Sequence, residues 1–140
     1  MTLELPPVNL LAVIVAGLVA FFLGAVWYSA LFGKMWLRYH GYTPEQVKEM
    51  QRQRPPHIFF GTMLLAYWLM ATMLAFLLYW IKAEHWLDGV AVAVVVWGIL
   101  QAVAMTDYIT SKKRIEIYFI DGLFQFCFLI LSAIVLTLWK

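Results

Sequence analysis

The sequence predicts an all-α integral membrane protein, a bundle of four transmembrane helices that forms one domain over residues 1–140. Three observations support this fold class. Hydrophobic residues make up 64% of the chain, and charged residues make up 13%, compared with about 25% in soluble proteins. The mean hydropathy is +0.82. Charged side chains are absent from four long stretches, at residues 5–33, 55–81, 89–106 and 122–139. Soluble enzymes, nucleic-acid-binding proteins and disordered proteins are therefore disfavoured.

Each charge-free stretch predicts one membrane-spanning helix, because about 20 apolar residues are needed to cross a hydrocarbon core of about 30 Å. The four predicted spans lie near residues 9–32, 57–81, 87–109 and 115–139. Span 1 is not expected to be a cleaved signal peptide. The residues before it contain Glu4 but no Lys or Arg, and its apolar run is longer than a signal peptide needs.

Basic residues predict the orientation of the spans. Eight Lys or Arg residues fall in the two connections between spans 1 and 2 and between spans 3 and 4. These are Lys34, Arg38, Lys48, Arg52, Arg54, Lys112, Lys113 and Arg114. The opposite side carries only Lys82 and Lys140. By the positive-inside rule, the eight residues face the cytoplasm and both termini lie outside.

The connection at residues 33–56 is predicted to be a cytoplasmic loop that contains a short helix. Thr43-Pro44-Glu45-Gln46 has the pattern of a capping box with proline at the first helical position, and Pro55-Pro56 would end the helix. Its basic residues would face an anionic membrane surface. The alternative is a solvated connector without a partner.

Small residues at four-residue spacing predict close helix packing inside the membrane. They are Ala12, Ala16, Ala20 and Gly24 in span 1, and Gly98 and Ala102 in span 3. The long face on span 1 has two possible roles, packing within the bundle or forming a homodimer contact.

Polar residues within spans 3 and 4 form a candidate intramembrane polar site. The helical repeat places four of them on one stripe of span 4, and Gln101 of span 3 is expected at the depth of Gln125, within hydrogen-bonding reach. The candidate site comprises Gln101, Asp107, Tyr118, Asp121, Gln125 and Ser132.

This polar site has two interpretations. In the functional one, the stripe is a path for protons or a solute, with Asp121 as the titrating group. In the structural one, Asp107 and Asp121 pair with Lys34, Lys112, Lys113 or Arg114 at the cytoplasmic mouth, and the amides join helices. We favour the structural interpretation, because both aspartates lie within one or two turns of a basic loop.

No catalytic, cofactor-binding or metal-binding residue is predicted. His40, His57 and His85 do not share the helical spacing of a metal or haem site. Cys127 is the only cysteine, and no serine has a histidine and a carboxylate placed to activate it. We therefore expect neither an enzyme nor a bound cofactor.

Two segments carry a resemblance to a known family. Span 1 contains Asn9 and the run Gly24-Ala25-Val26-Trp27-Tyr28-Ser29, followed by Phe32-Gly33-Lys34, and span 4 contains Phe119-Ile120-Asp121-Gly122. The chain resembles a large bacterial family of four-helix membrane proteins that is catalogued only as a domain of unknown function. The resemblance implies a four-span membrane fold in bacteria and brings no reaction, substrate or cofactor. We expect the chain to lie in the bacterial cytoplasmic (inner) membrane.

This chain departs from the family pattern at two positions. Ala30 stands where members often have proline, and Asp121 stands where an asparagine is frequent. The second departure implies that the position needs a hydrogen-bonding group more than a proton carrier.

Three functions remain open. The first is a non-enzymatic structural or assembly role, as a homo-oligomer or as an accessory subunit of a larger membrane complex, in contact with membrane lipids and not with nucleic acid. The second is a small proton-coupled transporter or channel that uses the polar stripe of span 4. The third is a lipid-binding protein that uses the signature region of Trp27, Tyr28, Ser29 and Lys34 near the inner headgroups.

Overall fold

The computed structural model describes residues 5–139, and within this range it contains α-helices, one π-helical turn and no strand. The elements are α1 (Leu10–Val26), the π turn (Trp27–Leu31), α2 (Gly33–His40), α3 (Pro44–Gln53), α4 (Pro56–Trp80), α5 (Trp86–Ser111) and α6 (Ile115–Leu138). Glu4 and Lys140, which enter the predictions about the N-terminus and the orientation, lie outside the described residues.

Four helices are long and apolar enough to cross a membrane. They are Leu10–Leu31, which joins α1 to the π turn, and then Pro56–Trp80, Trp86–Ser111 and Ile115–Leu138. They coincide with the four predicted spans, so the predicted all-α four-span fold is confirmed.

The first and fourth spans form the centre of the bundle. Helix α6 packs along α5 and α1, and α1 packs along α4, whereas α4 and α5 contact each other little. About 39% of the span residues of α1 and of α6 are buried inside the protein, but only 22% in α4 and 17% in α5. The outward faces of α4 and α5 are apolar, as expected of helices that face lipid.

Asn9 caps the start of α1, because its side-chain oxygen accepts hydrogen bonds from the backbone N–H groups of Leu11 and Ala12. Its small-residue face packs inside the bundle. Ala12, Ala16, Ala20 and Gly24 are all buried. This face is therefore a contact within the chain, and the homodimer alternative does not apply to it.

The small residues of α5 are placed differently. Gly98 and Ala102 are exposed, and a Cβ added to Gly98 would meet no atom within 4 Å. Helix α5 instead turns Ala93 and Gln101 toward the interior. Within the described chain, Gly98 and Ala102 thus do not lie at a helix contact, although their spacing is that of the face on α1.

The first span ends in an irregular turn, although Ala30 stands at the position where the resemblance suggests a proline. Trp27–Leu31 is π-helical, and the N–H of Phe32 donates to the carbonyl of Trp27 at 2.8 Å. Phe32, with φ of −119° and ψ of 0°, breaks the helix between the π turn and α2. A Cβ on Gly33 would lie 2.5 Å from the carbonyl oxygen of Tyr28, so only glycine fits there.

The connection between α1 and α4 contains α2 and α3. Gly41 ends α2 in the left-handed region with φ of 72°, a conformation that favours glycine. Helix α3 starts with the expected capping box, in which the Gln46 N–H donates to Thr43 Oγ1 at 3.2 Å and the Thr43 N–H donates to Gln46 Oε1 at 2.9 Å.

Candidate functional site

Asp121 is the centre of the candidate site. It is half-buried on α6, six residues after the start of the helix and so about 9 Å along it. The hydroxyl of Tyr28 donates to Asp121 Oδ1 at 2.7 Å, and Trp36 Nε1 donates to the same oxygen at 3.1 Å. The carboxylate thereby ties together the π turn, α2 and α6.

Aromatic packing positions the two donors. The rings of Tyr28 and Trp36 meet edge to face with centroids 5.9 Å apart, and Tyr28 also meets Phe124 at 5.2 Å. Trp27 is buried beside Phe32, with ring centroids 4.7 Å apart. The π turn therefore places one aromatic side chain in the core and the next one on Asp121.

The other two residues of the signature region do not reach Asp121. Ser29 is exposed, and its hydroxyl donates to the carbonyl of Ala25 one turn earlier. Lys34 is also exposed and lies on the far side of α2.

A polar pocket of about 180 Å³ lies between α5 and α6, next to Asp121. The residues that line it are Gln101, Ala104, Asp107, Tyr108, Lys113, Ile117, Tyr118, Asp121, Gly122 and Gln125. Five of the six residues of the predicted polar site are among them. Ser132 is the exception, because it is buried about three turns further along α6.

Two glutamines form the inner end of this pocket. Gln101 Nε2 donates to Gln125 Oε1 at 2.8 Å, which is the hydrogen bond expected from their matched depth. The Tyr118 hydroxyl donates to the carbonyl of Gln101 at 3.3 Å. A Cβ on Gly122 would lie 2.5 Å from Gln101 Oε1, so the glycine makes room for this amide.

An ion pair lies at the solvent-exposed end of the pocket. Lys113 Nζ is 2.6 Å from Asp107 Oδ2, and the two side chains are 44% and 59% exposed. Water can therefore reach this end of the pocket.

The expected pairing of both aspartates with basic residues holds for one and is wrong for the other. Asp107 pairs with Lys113, but Asp121 forms no salt bridge within residues 5–139, and both of its hydrogen bonds come from uncharged donors. The orientation of the Asp121 side chain explains the difference. The Asp121 side chain points toward the π turn and α2, and Arg114 is held by Glu116 at 2.9 Å.

Trp36 and His40 also belong to the site, although the sequence did not assign them to it. Trp36 donates to Asp121, and His40 packs against Trp36. Their ring centroids are 3.9 Å apart, and Tyr42 stacks on His40 at 5.2 Å. Their four-residue spacing indicated a shared face of α2, but nothing in the sequence linked that face to Asp121.

His40 has an unusual environment. Its Nε2 is buried and has no hydrogen-bond partner within residues 5–139. Burial lowers the pKa of His40 below its usual value of 6.5; the negative charge of Asp121 raises the pKa, and the positive charge of Lys113 lowers it, both to a smaller extent. The imidazole is therefore neutral at pH 7.

The pocket has an excess of negative charge, because it holds two aspartates and one lysine. A carboxylate with a polar, water-accessible approach can take up a proton or bind a small cation. Within residues 5–139, no three His, Cys, Asp or Glu side chains come close enough together to hold a metal ion.

Comparison with known protein families identifies the family of the chain. A family model described as "Protein of unknown function (DUF1761)" matches residues 11–137, which is nearly the whole chain. No curated protein and no solved structure matches significantly.

Proposed function

Since the chain belongs to the DUF1761 family, whose function is unknown, we propose from the geometry of its site that it is a small proton transporter of the bacterial cytoplasmic membrane, with Asp121 as the proton-binding group. In this proposal the protein is not an enzyme and needs no cofactor. The resemblance to bacterial proteins and the basic loops support the location.

The observation that carries the proposal is the environment of Asp121. It lies inside a membrane-spanning helix, lacks a cationic partner within residues 5–139, and lines a pocket that reaches an exposed ion pair. Carboxylates inside spans usually mark ion or proton paths. Salt bridges to the basic loop, which would have made Asp121 purely structural, go instead to Asp107.

The pocket opens to one side of the bundle and does not cross it, so transport needs a change of conformation. Its polar lining ends at the pair formed by Gln101 and Gln125. The hydrogen bonds that Tyr28 and Trp36 donate to Asp121 join the π turn and α2 to α6. Protonation of Asp121 would weaken both bonds and loosen the contact of the π turn and α2 with α6.

Proton flux into liposomes tests this function. The purified chain is reconstituted, a potassium diffusion potential is imposed with valinomycin, and internal pH is followed with a trapped dye. We expect proton flux above that of protein-free liposomes. This flux should be lost in Asp121→Asn, because the amide oxygen still accepts both hydrogen bonds but does not bind a proton near neutral pH.

The matched control is Asp107→Asn, which removes the other carboxylate of the pocket at its exposed end. This variant should retain most of the flux. Wild-type flux equal to that of protein-free liposomes, or equal flux in wild type and Asp121→Asn, would refute the proposal.

A structural or assembly role is the second candidate, and two observations favour it. Both hydrogen bonds to Asp121 end on Oδ1, an arrangement that the asparagine frequent in the resembled family would keep. Gly98 and Ala102 also leave a small-residue face of α5 uncovered by the rest of the described chain. This role predicts that Gly98→Leu dissociates an oligomer or a larger complex in mild detergent, whereas Asp121→Asn changes nothing.

A further inference from the structure

A second, larger concavity lies outside the spans, between α2 and α3, and we call it the α2–α3 groove. Its volume is about 690 Å³, within the range of ligand sites. It is lined by Lys34, Leu37, Arg38, Gly41, Tyr42, Pro44, Val47 and Lys48. None of these residues takes part in the pocket at Asp121.

Helix α2 has two functional faces. Trp36 on one face donates to Asp121, and Tyr39 on the same side has the guanidinium of Arg114 4.8 Å from its ring centroid. These contacts fix α2 against the start of α6. Lys34, Leu37 and Arg38 occupy the other face, at the spacing of one helical stripe, and line the groove.

Helix α3 presents a matching stripe. Pro44, Val47 and Lys48 follow the same three- and four-residue spacing and line the opposite wall. Val47 is the one residue of α3 that is not exposed. The turn at Gly41 brings the two stripes face to face.

The charges of the groove have one sign. Lys34, Arg38 and Lys48 line it, no acidic residue does, and none of the three forms an ion pair within residues 5–139. Glu49 of α3 points elsewhere and is 3.8 Å from Arg52. The groove therefore complements a negatively charged group.

The position of the groove indicates the source of that group. Lys34 follows the end of the first span at Leu31 by three residues, so the groove lies at the level of the lipid headgroups. Between the cations, Leu37, Val47 and Tyr42 provide an apolar surface. A group that is anionic at one end and apolar at the other fits both features.

We propose that the α2–α3 groove binds an anionic phospholipid, with the phosphate held by Lys34, Arg38 and Lys48 and the glycerol and upper acyl chain lying on Leu37 and Val47. The site does not depend on proton transport at Asp121. It gives the connection between the first two spans a specific lipid partner at the membrane surface.

Native mass spectrometry of the full chain in mild detergent tests this proposal with two added lipids, phosphatidylglycerol and phosphatidylcholine. We expect selective retention of phosphatidylglycerol. The triple variant Lys34→Gln, Arg38→Gln, Lys48→Gln should lower its apparent affinity about tenfold or more, because each basic residue contributes to the attraction.

The matched control is Arg52→Gln, Arg54→Gln, Lys112→Gln, which removes the same charge from the same end of the bundle outside the groove. It should retain phosphatidylglycerol as the wild type does. Equal retention of the two lipids by the wild type, or an equal loss in both triple variants, would overturn the proposal, since either result indicates general attraction.

Two further measurements distinguish lipid binding from phosphate binding and from loss of the fold. Excess inorganic phosphate should fail to displace the lipid; displacement would indicate a site for free phosphate and contradict the proposal. Helical content of the variants, followed by circular dichroism, should be unchanged because the three side chains are exposed. If the triple variant does not fold, Lys48→Gln alone should weaken retention by a few-fold, and no weakening would count against the groove.

Discussion

A single oxygen atom, Oδ1 of Asp121, accepts hydrogen bonds from Tyr28 and Trp36, which lie 93 and 85 positions away in the chain. Neither donor carries a charge, and neither has much freedom, because their rings pack against each other and the Tyr28 ring also packs against Phe124. The carboxylate thus joins α6 to the π turn and α2, in addition to the proton binding proposed above.

Two substitutions of Asp121 by residues of similar size should separate its structural role from proton binding. Asp121→Leu leaves the Tyr28 hydroxyl and the Trp36 indole without an acceptor, and each unsatisfied group costs about 1–3 kcal/mol. Asp121→Asn keeps the acceptor and should change the free energy of unfolding by less than about 1 kcal/mol. Reversible unfolding in mixed detergent micelles measures both, and equal losses in the two variants would contradict this assignment of the hydrogen bonds.

His40 should make stability depend on pH. Burial lowers its pKa in the folded chain, while the unfolded chain keeps the usual value of 6.5. The unfolded state therefore binds a proton more readily, and stability is lost as the pH falls below that value. We expect the unfolding midpoint in detergent to fall between about pH 7.5 and about pH 5.5, with a smaller fall in His40→Phe. An identical pH dependence in both proteins would exclude His40 as the cause.

At the scale of elements, the close contact of α1 with α4 depends on a missing side chain. A Cβ on Gly17 would lie 2.0 Å from Trp68 Cδ1. Trp68 reaches across this contact and donates from Nε1 to the carbonyl of Ile14 at 3.2 Å. The indole can take this position only where α1 has a bare backbone.

Alanine substitution at two glycines should give opposite results. Gly17→Ala should lower the free energy of unfolding by about 1–3 kcal/mol, because Trp68 must move. Gly98→Ala should leave it unchanged or slightly raised, since its Cβ meets no neighbour within 4 Å. Unfolding in the same mixed micelles tests the pair. A loss of stability in Gly98→Ala as large as that in Gly17→Ala would show that the effect is not packing against Trp68.

At the scale of the whole molecule, helix existence could be predicted and helix neighbours could not. Each span is a local run of apolar residues, so composition alone identifies it. The small-residue faces have the same spacing on α1 and α5, yet Ala16 is buried and Ala102 is exposed. Spacing shows where a close contact is possible, but the partner is chosen by the packing of all four spans.

In the site, too, residues linked by local sequence could be predicted, and contacts that depend on the tertiary fold could not. Gln101, Gln125 and Asp121 were predictable as a group, because a short loop joins α5 to α6 and the helical repeat orders the rest. Trp36 was not, because its contact with Asp121 requires the π turn and the break in the helix at Phe32, and no proline marks that turn.

Orientation in the membrane is a further prediction about the molecule as a whole. In a Cys127→Ala background, a cysteine at Glu84 should react with an impermeant maleimide in intact spheroplasts, and a cysteine at Lys48 should react only after permeabilisation. The eight basic residues on the Lys48 side are the reason. Labelling of Lys48→Cys in intact spheroplasts would reverse the assigned orientation.

The central position of α1 and α6 has a consequence for biosynthesis. During insertion, α1 can pair with α4 at once, but the contact that joins this pair to α5 is made mainly through α6. Until the fourth span enters the membrane, α5 lacks its main partner and Tyr28 and Trp36 lack their acceptor. Insertion of α6 would therefore supply the main packing partner of α5 and the acceptor of both side chains in a single step.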